Sequence, residues 1–117
     1  MIKIKRAYEP VEKSDGVRIL VDRLWPRGKS KHELAIDEWL KEVSPSTELR
    51  KWFSHKPDRW HEFLEKYFEE LDKLEYICAQ LRTNAKRQSV TLVYAAKDSK
   101  HNNAVALKQY LERHEGD

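Results

Sequence analysis

The sequence contains one cysteine, three glycines and no long hydrophobic run. A single cysteine, Cys78, excludes an intramolecular disulfide and any CxxC redox or zinc motif, and we expect it to be a buried helix residue. Three scattered glycines are too few for a GxGxxG cradle, and there is no G-x-S-x-G nucleophile elbow.

No stretch approaches the roughly 18 apolar residues that a membrane span needs. The N-terminus MIKIKRAYEP alternates apolar with charged residues, where a signal peptide has an apolar core. We therefore predict a cytoplasmic protein without a membrane partner.

Charge of one sign is not in large excess either. Positive residues outnumber negative ones by 23 − 20 = +3, while charged residues of both signs make up 37% of the chain, against about 25% in an average domain. Proteins that bind duplex DNA usually carry a clustered basic excess. Because the two signs alternate along this chain, the composition allows nucleic acid as a partner but does not favour it. The length of 117 residues predicts a single domain, residues 1–117.

Two partial motifs for phosphate or metal binding are incomplete. Gly28-Lys29-Ser30 resembles the end of a P-loop, but the first glycine of that motif is replaced by Arg23. The pair His61-Glu62 is followed by Glu65 where a zinc-binding H-E-x-x-H helix has its second histidine. We assign no metal site and no cofactor.

The hydrophobic pattern predicts an α/β fold with a small, mostly parallel sheet of about three strands and helices packed on its faces. The strands are expected near residues 1–8, 17–21 and 90–96, the last being apolar almost throughout, as in a central strand. The short loop between the first two strands favours an antiparallel pair, although a reduced crossover remains an alternative. About 70 largely helical residues separate the second and third strands, which predicts that these two run parallel.

One long amphipathic helix is expected to start near Pro57 and Asp58. Apolar residues recur along it at intervals of three and four, which predicts a stripe packed in the core. The stripe comprises Trp60, Phe63, Leu64, Tyr67, Phe68, Leu71, Leu74, Cys78 and Leu81. A final amphipathic helix follows the polar turn at residues 97–103.

If the second and third strands are parallel, the loops that follow them meet at the carboxyl-end edge of the sheet. Open α/β sheets bind ligands at that edge. Its predicted ligand-binding residues are Arg23, Trp25, Arg27, Lys97, His101 and Asn102, and its candidate catalytic carboxylates are Asp22 and Asp98. Guanidinium groups bind phosphate in bidentate fashion, and a carboxylate can act as a general acid or base. We therefore predict a pocket for a small anionic ligand, phosphorylated or nucleotide-type, with glycosyl or phosphoryl-group chemistry as a candidate activity.

Each of these residues also has a structural alternative. Asp22 could bond only to loop amides, Trp25 could cover the sheet as a lid, and Arg23 could pair with Asp98. The rival functional hypothesis is a non-catalytic module that binds nucleic acid or protein. The basic residues 29–32 and 86–87 support it, together with Trp25 as a stacking surface, while the acidic face of the long helix opposes it.

Several segments resemble a known family. They are VDRLWPRG at residues 21–28, PSTELRKWF at 45–53 with His55, the pair Glu70-Leu71, TLVYAAKD at 91–98 and HNNA at 101–104. Together they resemble the YeaO-like family of small uncharacterised proteins, and the resemblance covers nearly the whole chain. It implies a compact α/β domain in a prokaryotic cytosol, with helices packed around a small sheet, and it implies no established reaction.

Overall fold

A computed structural model of the protein describes residues 1–113 as an α/β fold built on one sheet. The strands are β1 (Ile2–Arg6), β2 (Val17–Leu20), β3 (Glu38–Trp39) and β4 (Val90–Tyr94). The helices are α1 (Lys31–Leu34), α2 (Thr47–Phe53), α3 (Trp60–Asp72), α4 (Glu75–Arg87) and α5 (Asn103–Arg113). Short 3₁₀ turns lie at Lys13–Asp15, Lys41–Val43 and Pro57–Arg59. None of the described helices is long and apolar enough to cross a membrane.

The sheet is parallel throughout and has the strand order β1-β4-β2-β3. β4 lies near the centre because all five of its residues are apolar or, like Thr91, hydrogen-bonded, so that it can be buried on both faces. Leu92 of β4 is in register with Ile4 on one side and with Ile19 on the other. The predicted α/β class and the parallel pairing of β2 with β4 are confirmed.

The predicted antiparallel pairing of the first two strands is wrong, because β4 lies between β1 and β2 and runs parallel to both. Residues 7–16 form the reduced crossover. Ten residues can span up to about 33 Å, enough to return along one short strand and step past another. Gly16 ends this crossover at a positive φ of 65°, where a β-carbon would overlap the carbonyl oxygen of Ser89.

Two further elements differ from the prediction. The sequence did not predict β3. This strand has only two residues, too few for an alternating pattern to be recognised. The predicted long helix is divided into α3 and α4 by a turn at Lys73 and Leu74, although the apolar stripe continues across the break. The stripe is confirmed as core, since Phe63, Tyr67 and Leu71 of α3 are buried, as are Cys78 and Leu81 of α4.

The core has two unequal parts on opposite faces of the sheet. The larger part packs α2, α3, α4 and α5 against one face, onto alternate strand residues such as Ile19 and Leu92. The smaller part covers the other face with α1 and the loops that flank it, through Leu20, Leu34 and Val93. The carboxyl-end edge of the sheet lies between these layers, and Asp22 after β2 and Ala95 and Ala96 after β4 are only partly buried there.

Candidate functional site

The loops after β2 and β4 meet at the carboxyl-end edge of the sheet. The backbone N–H of Ala95, just beyond β4, donates to Asp22 Oδ2 at 2.9 Å, although 73 residues separate the two in sequence. The side-chain amide of Asn103, the first residue of α5, donates to Asp22 Oδ1 at 2.9 Å and to the Val21 carbonyl at 3.0 Å. Asp22 therefore joins the ends of two strands to the start of a helix, as the parallel arrangement predicts.

An open cleft of about 620 Å³ lies at this edge. Its walls combine positive side chains, histidines, small polar groups and apolar surface. Its lining residues are Asp22, Arg23, Leu24, Trp25, Ser44, Pro45, Thr47, Arg50, Lys51, Phe53, Ser54, His55, Phe63, Ala95, Ala96, His101, Asn102 and Asn103. Asp22 is the carboxylate among them.

Five of the eight predicted site residues line the cleft and three do not. The lining residues are Asp22, Arg23, Trp25, His101 and Asn102. Arg27 and Lys97 have exposed side chains outside it, and Asp98 is half-buried in the turn before α5. Arg27 follows Pro26 at the far side of the loop, where its carbonyl accepts a hydrogen bond from the Tyr8 hydroxyl at 3.0 Å.

Asp98 organises the turn that begins α5. Its Oδ1 accepts the backbone N–H groups of Lys100 at 2.8 Å and His101 at 3.0 Å, and its Oδ2 lies 3.0 Å from His101 Nδ1. The hydrogen bond from the Lys100 backbone, with those from His101, holds the pKa of Asp98 below its usual value. Arg23 does not pair with Asp98 in the described chain; its Nη2 lies 3.4 Å from the carbonyl of Pro45.

Asn102 caps α5, and both the oxygen and the nitrogen of its side chain are hydrogen-bonded. Its Oδ1 accepts the N–H of Val105 at 2.9 Å, and its Nδ2 donates to the Asp98 carbonyl at 2.9 Å. The predicted ligand-binding role of Asn102 therefore competes with a capping role that the geometry already assigns to it.

Asp22 is mostly enclosed, and burial raises its pKa above the usual value. The hydrogen bonds from Asn103 and Ala95, followed by the positive charge of Arg50, oppose this rise without cancelling it. Both carboxylate oxygens accept hydrogen bonds from the protein. These two hydrogen bonds fix the orientation of the carboxylate and join the ends of the two strands.

Trp25 packs over the sheet, as the structural alternative predicted, and it also lines the cleft. Its ring packs edge-on against Trp39 with centroids 5.4 Å apart, and it covers the smaller part of the core. Its Nε1 donates to the carbonyl of Lys29 at 2.6 Å. The same ring lines the cleft, so Trp25 is both a lid over the sheet and a wall of the site.

Sequence reasoning missed two cations, Arg50 and Lys51, which α2 brings to the cleft. α2 begins at Ser46, whose Oγ accepts the N–H of Leu49 at 3.1 Å. The Glu70 carboxylate of α3 accepts the backbone N–H of Ser46 at 2.8 Å and its hydroxyl at 2.6 Å, which secures this end of α2. The segment containing Arg50 and Lys51 was among those that carried the family resemblance, but nothing in its helical pattern indicated which loops it would face.

The backbone after α2 is left-handed at two consecutive residues of the cleft. Ser54 has a φ of 48° and His55 a φ of 54°, a conformation that favours glycine. Ser54 closes the helix by donating its N–H to the carbonyl of Arg50 at 2.9 Å. His55 packs against Phe53, with ring centroids 6.5 Å apart.

Aromatic side chains form the floor of the cleft. Phe53 and Phe63 have ring centroids 4.6 Å apart, and Trp60 stacks on Phe63 at 5.4 Å. His101 meets the Trp60 ring edge-on at 5.3 Å. In residues 1–113 no group of three or more His, Cys, Asp or Glu side chains is arranged to hold a metal ion.

Comparisons with known proteins agree with the resemblance noted from the sequence. Residues 1–116 match the family described as "Inactive DUF488-N3 subclade". The chain is 50% identical to the uncharacterized protein YeaO of Escherichia coli (strain K12) over 110 residues, which cover 94% of this chain and 96% of the relative. It is 40% identical to uncharacterized proteins of Mycobacterium bovis and Mycobacterium tuberculosis, again over 110 residues, covering 94% of this chain and 92% of each relative. No solved structure matches the chain. The chain therefore belongs to the DUF488 family, within its YeaO-like group and the subclade described as inactive.

Proposed function

We propose that the cleft at the carboxyl ends of β2 and β4 binds a small anionic ligand that carries a phosphate group. One observation carries this proposal: Arg23, Arg50 and Lys51 bring three positive charges to a cleft whose carboxylate, Asp22, is already hydrogen-bonded. Within residues 1–113, none of the three cations forms a salt bridge with a carboxylate. The charge of the cleft is therefore positive and open to a negative ligand.

The residue types suit this ligand. A guanidinium group makes bidentate hydrogen bonds to phosphate oxygens, and the ammonium group of a lysine adds a mobile positive charge. Apolar walls beside the cations reduce the local dielectric constant, which strengthens their attraction for an anion relative to an open surface. A volume of about 620 Å³ lies within the usual range of small-molecule sites.

We propose binding without turnover rather than glycosyl or phosphoryl-group chemistry. Both oxygens of Asp22 are engaged, and Asp98 lies outside the cleft and holds the start of α5. The description of the subclade as inactive supports the same choice. The proposal includes a cytoplasmic location, where the free thiol of Cys78 stays reduced.

The test is a calorimetric and thermal-unfolding titration of the protein with ribose 5-phosphate and adenosine 5′-monophosphate (AMP). We expect binding, and at about 100 times Kd a ligand should add roughly 2.7 kcal/mol to the free energy of unfolding. The double variant Arg23→Ala/Arg50→Ala should lose affinity by about tenfold or more, because each charge-assisted hydrogen bond contributes about 1.5–3 kcal/mol.

The matched control is Arg27→Ala/Lys97→Ala, which removes two cations of the same loops that lie outside the cleft. It should bind both ligands as the unaltered protein does. Binding that survives in Arg23→Ala/Arg50→Ala, or no binding of either phosphate compound, contradicts the proposal.

A single-stranded oligonucleotide distinguishes the rival hypothesis of a nucleic-acid-binding module. Such a module loses affinity steeply with salt, with a log–log slope of about −0.7 per phosphate contact. A small ligand in the cleft should respond much less. Tight oligonucleotide binding that the Arg23→Ala/Arg50→Ala variant retains would favour the rival hypothesis.

A further inference from the structure

The cleft is lined by apolar and aromatic side chains as well as by cations, and we infer from this combination that its ligand carries a flat aromatic ring beside the anionic group, as a nucleoside monophosphate does. This inference rests on the proposed function, because it assumes that Arg23, Arg50 and Lys51 hold the anion. It adds the class of molecule to which that anion is attached.

Apolar side chains line the cleft together with the cations. They are Phe53 and Phe63, whose ring centroids lie 4.6 Å apart, with Leu24 and Trp25. Leu24 is 69% exposed, so its side chain is free to cover a ligand. A planar ring between such surfaces loses contact with water without needing hydrogen-bond partners.

The two asparagine side chains of the cleft are already hydrogen-bonded. The side-chain amide of Asn103 donates to Asp22 and to the Val21 carbonyl, and the side chain of Asn102 bonds to Asp98 and Val105. AMP and ribose 5-phosphate share the phosphate and the sugar, and only the ring of AMP adds contact with the apolar lining residues. A sugar phosphate should therefore bind less well than a ring-bearing phosphate of the same charge.

The experiment compares AMP, ribose 5-phosphate and inorganic phosphate by calorimetric titration. The first two compounds share the sugar phosphate and differ in the adenine ring. We expect AMP to bind about tenfold or more tightly than ribose 5-phosphate, since stacking a base on aromatic side chains typically changes affinity by this order.

The outcomes separate the two proposals. Equal affinity for AMP and ribose 5-phosphate would leave the proposed anion site in place, but it would overturn the inference that the ligand carries an aromatic ring. Tighter binding of ribose 5-phosphate would overturn it as well. Binding of none of the three compounds would overturn the proposed function and this inference together.

A substitution outside the core tests where the ring of the ligand binds. Leu24→Ala removes an exposed side chain from the mouth of the cleft and should weaken AMP several-fold while leaving ribose 5-phosphate unchanged. Val11→Ala is the matched control, because Val11 is also an exposed aliphatic loop residue, 45% accessible, and does not line the cleft. An equal loss for both ligands in Leu24→Ala, or no loss for AMP, would overturn the placement of the ring against this wall.

Discussion

At the scale of single residues, the left-handed backbone of Ser54 and His55 stands out because both residues line the cleft. An L-amino acid other than glycine pays roughly 1–2 kcal/mol to adopt this conformation. Strained backbone of this kind is often retained at functional sites, where the surrounding structure compensates for it. Ala35, which ends α1 at a φ of 49°, shows the same conformation away from the cleft and provides a comparison.

We predict that His55→Gly and Ala35→Gly each raise the free energy of unfolding by about 0.5–1 kcal/mol. The relief of the left-handed strain should exceed the extra chain entropy that glycine loses, which is roughly 0.5–1 kcal/mol. Urea denaturation measures the change. Ala79→Gly, at an exposed position inside α4, is the control and should instead lose about 1 kcal/mol. A destabilised His55→Gly variant would show that the imidazole itself supports the turn.

At the scale of elements, α3 supports the cleft through its aromatic side chains. Its Phe63 contacts Phe53 of α2 and stacks with Trp60, and Tyr67 one turn later lies 5.5 Å from Phe63 between ring centroids. The buried Tyr67 hydroxyl donates to the Val43 carbonyl, so its polar atom is satisfied inside the core. The helix thus connects the apolar core directly to the floor of the cleft.

Replacing Phe63 with Ala should lower the free energy of unfolding by about 3–5 kcal/mol, because a buried aromatic ring is lost and leaves a cavity. Denaturant unfolding followed by circular dichroism checks the loss. Tyr76→Ala is a suitable control, since Tyr76 of α4 is 76% exposed and its removal should change stability by less than about 0.5 kcal/mol. A loss below 1 kcal/mol in Phe63→Ala contradicts the assignment of the stripe to the core.

At the scale of the whole molecule, a buried ion network joins three strands of the sheet. Asp15 lies 2.8 Å from Lys5 of β1 and 2.7 Å from Arg18 of β2, and its carbonyl accepts the hydroxyl of Thr91 in β4 at 2.6 Å. Burial alone would raise the pKa of Asp15. The hydrogen bonds from Lys5, the Glu12 backbone and Arg18 outweigh it, so that this pKa lies below the usual value.

A carboxylate whose pKa is lowered by folding stabilises the protein above its unfolded pKa, roughly 3.9, and this contribution is lost as pH falls through the folded value. We predict that Asp15→Asn lowers the free energy of unfolding at pH 7 by about 3–5 kcal/mol, because the buried Arg18 loses its charged partner and Lys5 keeps only its salt bridge to the exposed Glu12. The variant should also lose less additional stability than the unaltered protein on acidification below about pH 4.

Urea denaturation across the pH range measures both effects, with the exposed Asp58→Asn as control. An acid dependence in Asp15→Asn as steep as that of the unaltered protein would contradict this account.

The pKa of Asp22 shifts in the opposite direction, because burial raises it. The contribution of Asp22 to stability is therefore present below its unfolded pKa and is lost as pH rises through its folded pKa.

The sequence predicted the direction of the strands correctly, but it did not predict which distant residues lie beside their carboxyl ends. The spacing between β2 and β4 predicted that the loops at Asp22 and Lys97 share one edge, and five of the eight predicted residues line one cleft there. The sequence did not reveal that α2 would supply Arg50 and Lys51, because helical periodicity reports which side of a helix is buried but not what its exposed side faces.

The sequence by itself determined the α/β class, the parallel pairing of β2 with β4, the buried stripe and the burial of Cys78 in a helix. Each of these follows from local hydrophobic spacing and chain length. Only the tertiary structure decided that β4 separates β1 from β2, and that α3 and α4 are two helices sharing one stripe. It also decided the bonding of Asp22. That carboxylate bonds to Ala95 and Asn103, which lie 73 and 81 residues away in sequence. Contacts over such separations arise from the order and direction of the strands in the sheet, which local patterns in a sequence do not encode.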